Sequence, residues 1–311
     1  MQCRFEEKHY EQQLNKELAG KRPVYSPGQV EENTLAIDAA FFSTSPRFWR
    51  LWNKRKGIKW KSGLQLEPEL WDIIEETWNN DMFPKFKCNL FIQHKRPEYV
   101  SSGRGNEYKY WKQPYFRYYL TEHQQEILYK LEQKASASAL VVYACPAFWK
   151  RSDLWRCFKG KLVENSNFVQ PHAVHGHRGY TFVRGGKKGY PCSEHAEAEG
   201  IDILREIDKM LEKPSEFKSN VIFVHALARE IRATVDELNK STRAEFLEIE
   251  EAIGGTEQPF GRSILTVFAF NLFANTTWGI GYEIKAPVVS VDDSNGRMKG
   301  FIDSLWDASA A

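Results

Sequence analysis

The run Ala139-Leu140-Val141-Val142-Tyr143-Ala144 carries no polar side chain except one phenol. It follows Thr121 to Lys134, which reads as a helix opened by Thr121 with Gln124 at the capping-box position. A strand that is apolar on both sides must be covered on both faces, and helices alternating with such strands supply that cover. The predicted fold class is therefore α/β, a mixed β-sheet flanked by helices, with a mainly helical C-terminal part.

The rest of the chain is consistent with that architecture. Phe5 to Leu18 reads as a helix with Tyr10, Leu14 and Leu18 on one face and Gly20 as its stop. Strands are expected at Thr34 to Phe42, Cys88 to Lys95, Tyr115 to Leu120 and Tyr180 to Val183. A further helix is expected from about Glu67 to Asn79, and three more at Ser193 to Leu211, Asn220 to Asn239 and Ser241 to Ile253. The apolar segment Ser263 to Ala274 suits a buried helix or a buried strand, and its periodicity does not choose between them.

Charge divides the chain unevenly. Residues 1–191 hold 31 Lys+Arg against 20 Asp+Glu, a balance of +11, whereas residues 192–311 hold 12 against 21, a balance of −9. The expected organisation is a catalytic or binding domain over 1–191, with a basic and aromatic insertion at about 45–80, followed by an acidic helical region over 192–311. A basic first part suits a polyanionic partner, and the acidic remainder suits a protein-facing surface, either for a homodimer or for another subunit. The cysteines Cys3, Cys88, Cys145, Cys157 and Cys192 are odd in number and form no CxxC pair, which argues for a reducing compartment. With no apolar signal core and no apolar run long enough to span a bilayer, the expected location is cytoplasmic, with no membrane partner.

Polar residues inside the apolar strands carry the functional signal. Asp38 interrupts Thr34 to Phe42, and an unpaired carboxylate there would be costly, so it must meet a cation, a donor or water. Gln93 and Lys95 close the strand that begins at Cys88; strand alternation points them the same way and His94 the other. An amide oxygen and an ammonium on one face, with a carboxylate opposite, could hold a divalent cation, a water and a phosphate.

An acid on the first helix, a strand Asp and a strand Gln-x-Lys occur here in the order Glu11, Asp38, Gln93-His94-Lys95-Arg96. This order resembles the PD-(D/E)XK, or restriction-endonuclease-like, nuclease superfamily, and within it the Mrr-like QxK variant and related antiphage effectors. The resemblance covers the first third to half of the chain. It implies a restriction-endonuclease-like core and a metal-dependent DNA endonuclease working in restriction or antiphage defence. Asp38, Gln93 and Glu11 would hold Mg²⁺, or Mn²⁺ in its place, and Lys95 would hold or deprotonate the attacking water. Glu32, six residues before Asp38, is an alternative third acid. The chain departs from the pattern in the 54 residues between Asp38 and Gln93 and in Gln standing where an acidic residue is usual.

The insertion holds Arg47, Arg50, Lys54, Arg55, Lys56, Lys59 and Lys61 interleaved with Trp49, Trp52 and Trp60. With Arg96, and with Trp60 as a stacking group, these cations form the expected nucleic-acid surface. The same spacing also fits a helix with an aromatic core face and a solvated basic one. Lys109-Tyr110-Trp111-Lys112 repeats the pattern with the same two readings. His172, His175, His177, Cys192 and His195 have spacings that could satisfy a tetrahedral Zn²⁺, although ordinary loop histidines would look alike. Two other functions fit the same residues: a catalytically inactive nucleic-acid-binding or scaffold protein on the same fold, and an RNA nuclease.

Overall fold

The computed structural model describes residues 1–19, 24–25, 75–76, 85–101, 103, 105–185, 188–192, 197–214, 216–253 and 256–285. Asp38, Glu32 and the basic insertion over 47–61 lie outside the described residues, as do the strand expected at Thr34 to Phe42 and His195. The chain forms a mixed α/β fold of two sheets, one mixed and one antiparallel, flanked by eight helices among the described residues.

In chain order these elements are α1 (Glu7–Ala19), β1 (Val24–Tyr25), β2 (Cys88–His94), β3 (Glu98–Val100), α2 (Tyr108–Trp111), β4 (Tyr115–Tyr119), α3 (Glu122–Ala135) and β5 (Ala139–Pro146). They continue with α4 (Arg151–Cys157), β6 (Ser166–Val169), a 3-10 turn (Pro171–Val174), β7 (Gly179–Phe182), β8 (Lys188–Pro191) and β9 (Ala198–Glu199). The last are α5 (Ile203–Glu212), α6 (Asn220–Asp236), α7 (Lys240–Ile253), α8 (Pro259–Trp278) and β10 (Ile280–Lys285). The chain divides into two compact units, one of residues 1–21 and 90–212 and the other of 22–89 and 213–311. The change of charge sign near residue 192 falls inside the first unit.

In the first unit, β5 lies between β2 and β6 in the mixed sheet. The Lys95 N–H donates to Ala144 O at 2.8 Å, near the C-terminal ends of both strands, so β2 and β5 run the same way. All eight residues of β5 are buried, as its apolar sequence requires, and each buried Leu or Val there stabilises the fold by roughly 1.5–3 kcal/mol. The second sheet is antiparallel, in the order β3-β4-β7-β8-β9. Its Tyr118, Tyr180 and Phe182 make an aromatic cluster with Tyr143 of β5, Tyr118 and Tyr143 lying 6.3 Å apart. Gly189 of β8 allows this packing, because a Cβ there would run into the Tyr180 ring.

The expected helix from Ser193 to Leu211 is shorter in the structure. Ala198 and Glu199 pair with β8 as β9, and the helix begins only at Ile203. The cause is local: a two-residue strand has no periodicity to announce it, and its pairing with β8 takes up the backbone groups that a helix would need.

In the second unit, β1 pairs antiparallel with β10, Val24 opposite Lys285. The undecided segment 263–274 is the middle of α8, which has Pro259 in its first turn and ends at Gly279 in the left-handed region, φ 69°. It is apolar nearly all round because α6 and α7 pack against it, with Phe246 of α7 edge-on to Phe273 at 5.9 Å. No helix among the described residues is long and apolar enough to cross a membrane.

Candidate active site

Strand alternation sorts the end of β2 as its sequence requires. His94 turns toward α1, where its ring meets Tyr10 edge-on at 5.8 Å, while Gln93 and Lys95 turn toward α3. There Gln124 binds both. Its Nε2 donates to Gln93 Oε1 at 2.7 Å, and its Oε1 accepts from Lys95 Nζ. Gln93 Nε2 in turn donates to the His94 carbonyl at 2.9 Å, so both ends of the buried Gln93 amide are engaged. Gln124 thus does other work than its position suggests: Thr121 is the N-cap of α3 and makes no side-chain capping bond, and the residue expected to close a capping box reaches into the sheet instead.

Lys95 is largely enclosed, and its ammonium lies 5.7 Å from the centre of the Tyr143 ring. Burial pulls its pKa down to about 8, against a smaller upward pull from the Glu7 carboxylate. Glu7 shifts the opposite way: burial raises its pKa, and Lys95 only partly offsets this. For both groups the loss of water outweighs mutual attraction, so each is held nearer its neutral form than a surface pair would be.

Among the described residues the carboxylate coupled electrostatically to Lys95 is Glu7, one helical turn before the expected Glu11. The two are four residues apart and share a face of α1, a spacing visible in the sequence. Glu11 is itself buried, 2% exposed, and bonded to Lys8 at 2.8 Å. Arg96 is tied to the N-terminal segment, donating to Cys3 O at 3.2 Å and lying 3.5 Å from Glu6.

Trp111 of the second basic and aromatic stretch packs on the antiparallel sheet, its Nε1 donating to Thr181 Oγ1 at 3.1 Å and its ring edge-on to Tyr190 at 4.9 Å. That geometry matches the packing reading of Lys109 to Lys112 better than a free stacking group. The histidine tract lies along α3. His172 Nδ1 is 2.7 Å from Glu132 Oε1, and His175 stacks on Tyr129 at 3.9 Å. Gln125 holds the same loop, donating to Val174 O at 2.7 Å and accepting from Gly176 N at 3.0 Å. Among the described residues no three His, Cys, Asp or Glu side chains converge as a metal site, and the five cysteines are free thiols.

The donor chemistry beside Lys95 nevertheless suits a hard cation in part. Glu7 offers a carboxylate from α1, whereas both Glu11 oxygens accept from Lys8 Nζ and the Gln93 oxygen accepts from Gln124. No family model, curated protein or solved structure matches this chain.

Proposed function

We propose that the chain is a metal-dependent nuclease that hydrolyses phosphodiester bonds, DNA before RNA, in restriction or antiphage defence, with its site at the Lys95 end of β2. The observation that carries this reading is a largely enclosed lysine held by Gln124 against the Tyr143 ring, on the same strand face as Gln93 and under the influence of the Glu7 carboxylate, with its pKa drawn down to about 8. A lysine poised there is half neutral near pH 8 and can take a proton from an attacking water. Gln124 keeps its Nζ aimed, and Tyr143 covers one side of it. Glu7, with Glu11 once it is released from Lys8, would supply carboxylates for Mg²⁺ or Mn²⁺, and Asp38 is the further acid that the sequence pattern names. The ion, when bound, offsets phosphate charge and acidifies water.

A second reading has its own support. With both amide ends of Gln93 bonded and Lys95 held by Gln124, the pair is closed on itself, as in a binding protein that has lost catalysis. Plasmid DNA and a single RNA, each incubated with Mg²⁺ or Mn²⁺, separate these readings. The nuclease reading expects cleavage that Asp38→Ala, Lys95→Ala and Glu7→Gln each reduce by at least about a hundredfold, within the usual range for a general acid or base. Cleavage that survives both Asp38→Ala and Lys95→Ala removes the assignment, and binding without cleavage supports the second reading.

A further inference from the structure

The helix that follows β5 presents an unusual surface. Leu154 and Cys157 are the buried residues of α4, which leaves Arg151, Ser152, Trp155 and Arg156 on its outer side. Trp155 is 62% exposed, although an indole gains more from burial than almost any other side chain. Its aromatic neighbour is Phe158, at 4.8 Å and 65°, which steadies the ring without covering it. Trp149, close by in sequence, is differently placed: Tyr99 stacks on it at 5.6 Å, and Arg4 and Lys150 lie over it at 5.0 and 5.2 Å.

Around Trp155 the charge is strongly positive. Residues 150–161 contain five Lys and Arg against Asp153 alone, a balance of +4. Asp153 is paired with Arg156. Arg151, Lys159 and Lys161 are exposed and have no carboxylate partner among the described residues. An exposed indole flanked along the chain by exposed, unpaired cations combines the two requirements for holding unpaired nucleic acid, a flat apolar face for a base and charge for the phosphates on either side. A duplex keeps its bases stacked inside and offers nothing to the ring.

We propose that the outer face of α4 is a docking surface for single-stranded nucleic acid, with Trp155 stacking on a base and Lys150, Arg151, Lys159 and Lys161 neutralising its phosphates. The surface stands on α4 itself; that the docked strand is also the substrate rests on the nuclease reading. Its position suits that role. Strand β5 ends at Pro146, two residues beyond Ala144, whose carbonyl accepts from the Lys95 N–H, and α4 begins five residues later at Arg151, so both features lie at one end of the sheet.

The test is fluorescence anisotropy of a labelled single-stranded DNA of about 12 nucleotides, within the usual site size of such surfaces, with the full chain in EDTA so that cleavage plays no part. Trp155→Ala is expected to weaken binding about tenfold or more, and Trp155→Phe to retain most of it. Lys159→Ser with Lys161→Ser should reduce the slope of log K against log salt by about 1.4, at roughly 0.7 for each phosphate contact. The exposure of Trp155 means that these changes spare the core. Binding by Trp155→Ala within about twofold of the wild type, on the scale of base-stacking losses, overturns the proposal, as does a duplex bound as tightly as the single strand. Loss of binding in Trp155→Ala by a protein that never cleaves overturns the nuclease reading alone, whereas unchanged binding by a protein that does cleave overturns this one alone.

Discussion

The lowered pKa of Lys95 has a thermodynamic consequence that does not depend on catalysis. A lysine whose folded pKa is about 8, against 10.5 for the free side chain, binds its proton more weakly when folded than when unfolded. The unfolded chain therefore holds more protons between pH 8 and 10.5, and stability rises with pH through that window. Below pH 8 the full penalty applies, about 3 kcal/mol for a shift of that size; at pH 10 less than about 1 kcal/mol remains. Other lysines titrate in the same range, so the quantity to measure is a difference. Lys95→Met keeps the stem and removes the charge, and urea unfolding of wild type and variant at pH 7 and pH 10 cancels the common terms. The wild type should gain on the variant by roughly 2–3 kcal/mol from pH 7 to pH 10. A gap between the two proteins that stays constant within about 0.5 kcal/mol, less than half of one pKa unit's worth, would refute the reasoning, because it would mean that the folded ammonium sits near its ordinary pKa. If Lys95 is the base of the proposed hydrolysis, kcat should rise with pH to a plateau with a midpoint near 8; a rate that falls through the same range would assign the work to the ammonium instead.

Two further outcomes follow from the same strand. His94 is fully buried, neither ring nitrogen has a hydrogen-bond partner, and burial lowers its pKa from 6.5 to about 3. A depressed histidine contributes stability that is present above pH 6.5 and lost as pH falls toward 3, so His94→Phe should match or exceed the wild type at pH 7 by about 1 kcal/mol. The variant should also lose about 3 kcal/mol less between pH 7 and pH 4, as thermal unfolding at the two pH values would report. Gln93→Glu places a carboxylate on the partner that Gln124 shares with Lys95; it should raise the Lys95 pKa by roughly one unit or more and move the midpoint of any pH–rate profile upward by the same amount.

Much of this site was legible in the sequence because strand geometry has a fixed period. Gln93 and Lys95 fall on one face and His94 on the other for no reason beyond alternation, and the apolar run at Ala139 to Ala144 could only be a strand buried on both sides. The sequence of α8 does not choose between helix and strand because its apolar residues surround the axis, which happens when both α6 and α7 cover it. Gln124 was hidden for a different reason. A Gln three residues after a Thr at a helix start has a local explanation, and nothing local indicates that its amide reaches a strand 31 residues earlier. Glu7 and Glu11 look alike in sequence because one helical turn separates them on one face of α1, and only the tertiary packing decides which of them influences Lys95.

Gln124 and Glu7 change the meaning of the glutamine at position 93. Seen as a replaced acid, Gln93 suggests a weakened metal site. In contact with Gln124, it is a neutral partner that completes an amide pair without adding negative charge beside Lys95. A carboxylate there would stabilise the ammonium and draw its pKa back toward the ordinary value, and the lysine would then be a fixed cation at neutral pH. The amide leaves burial as the dominant influence, opposed mainly by the charge of the Glu7 carboxylate. Gln93 is thus compatible with a working lysine base, provided that the carboxylates for a cation come from other residues. The choice between a working and a retired site accordingly turns on Lys95 and its proton.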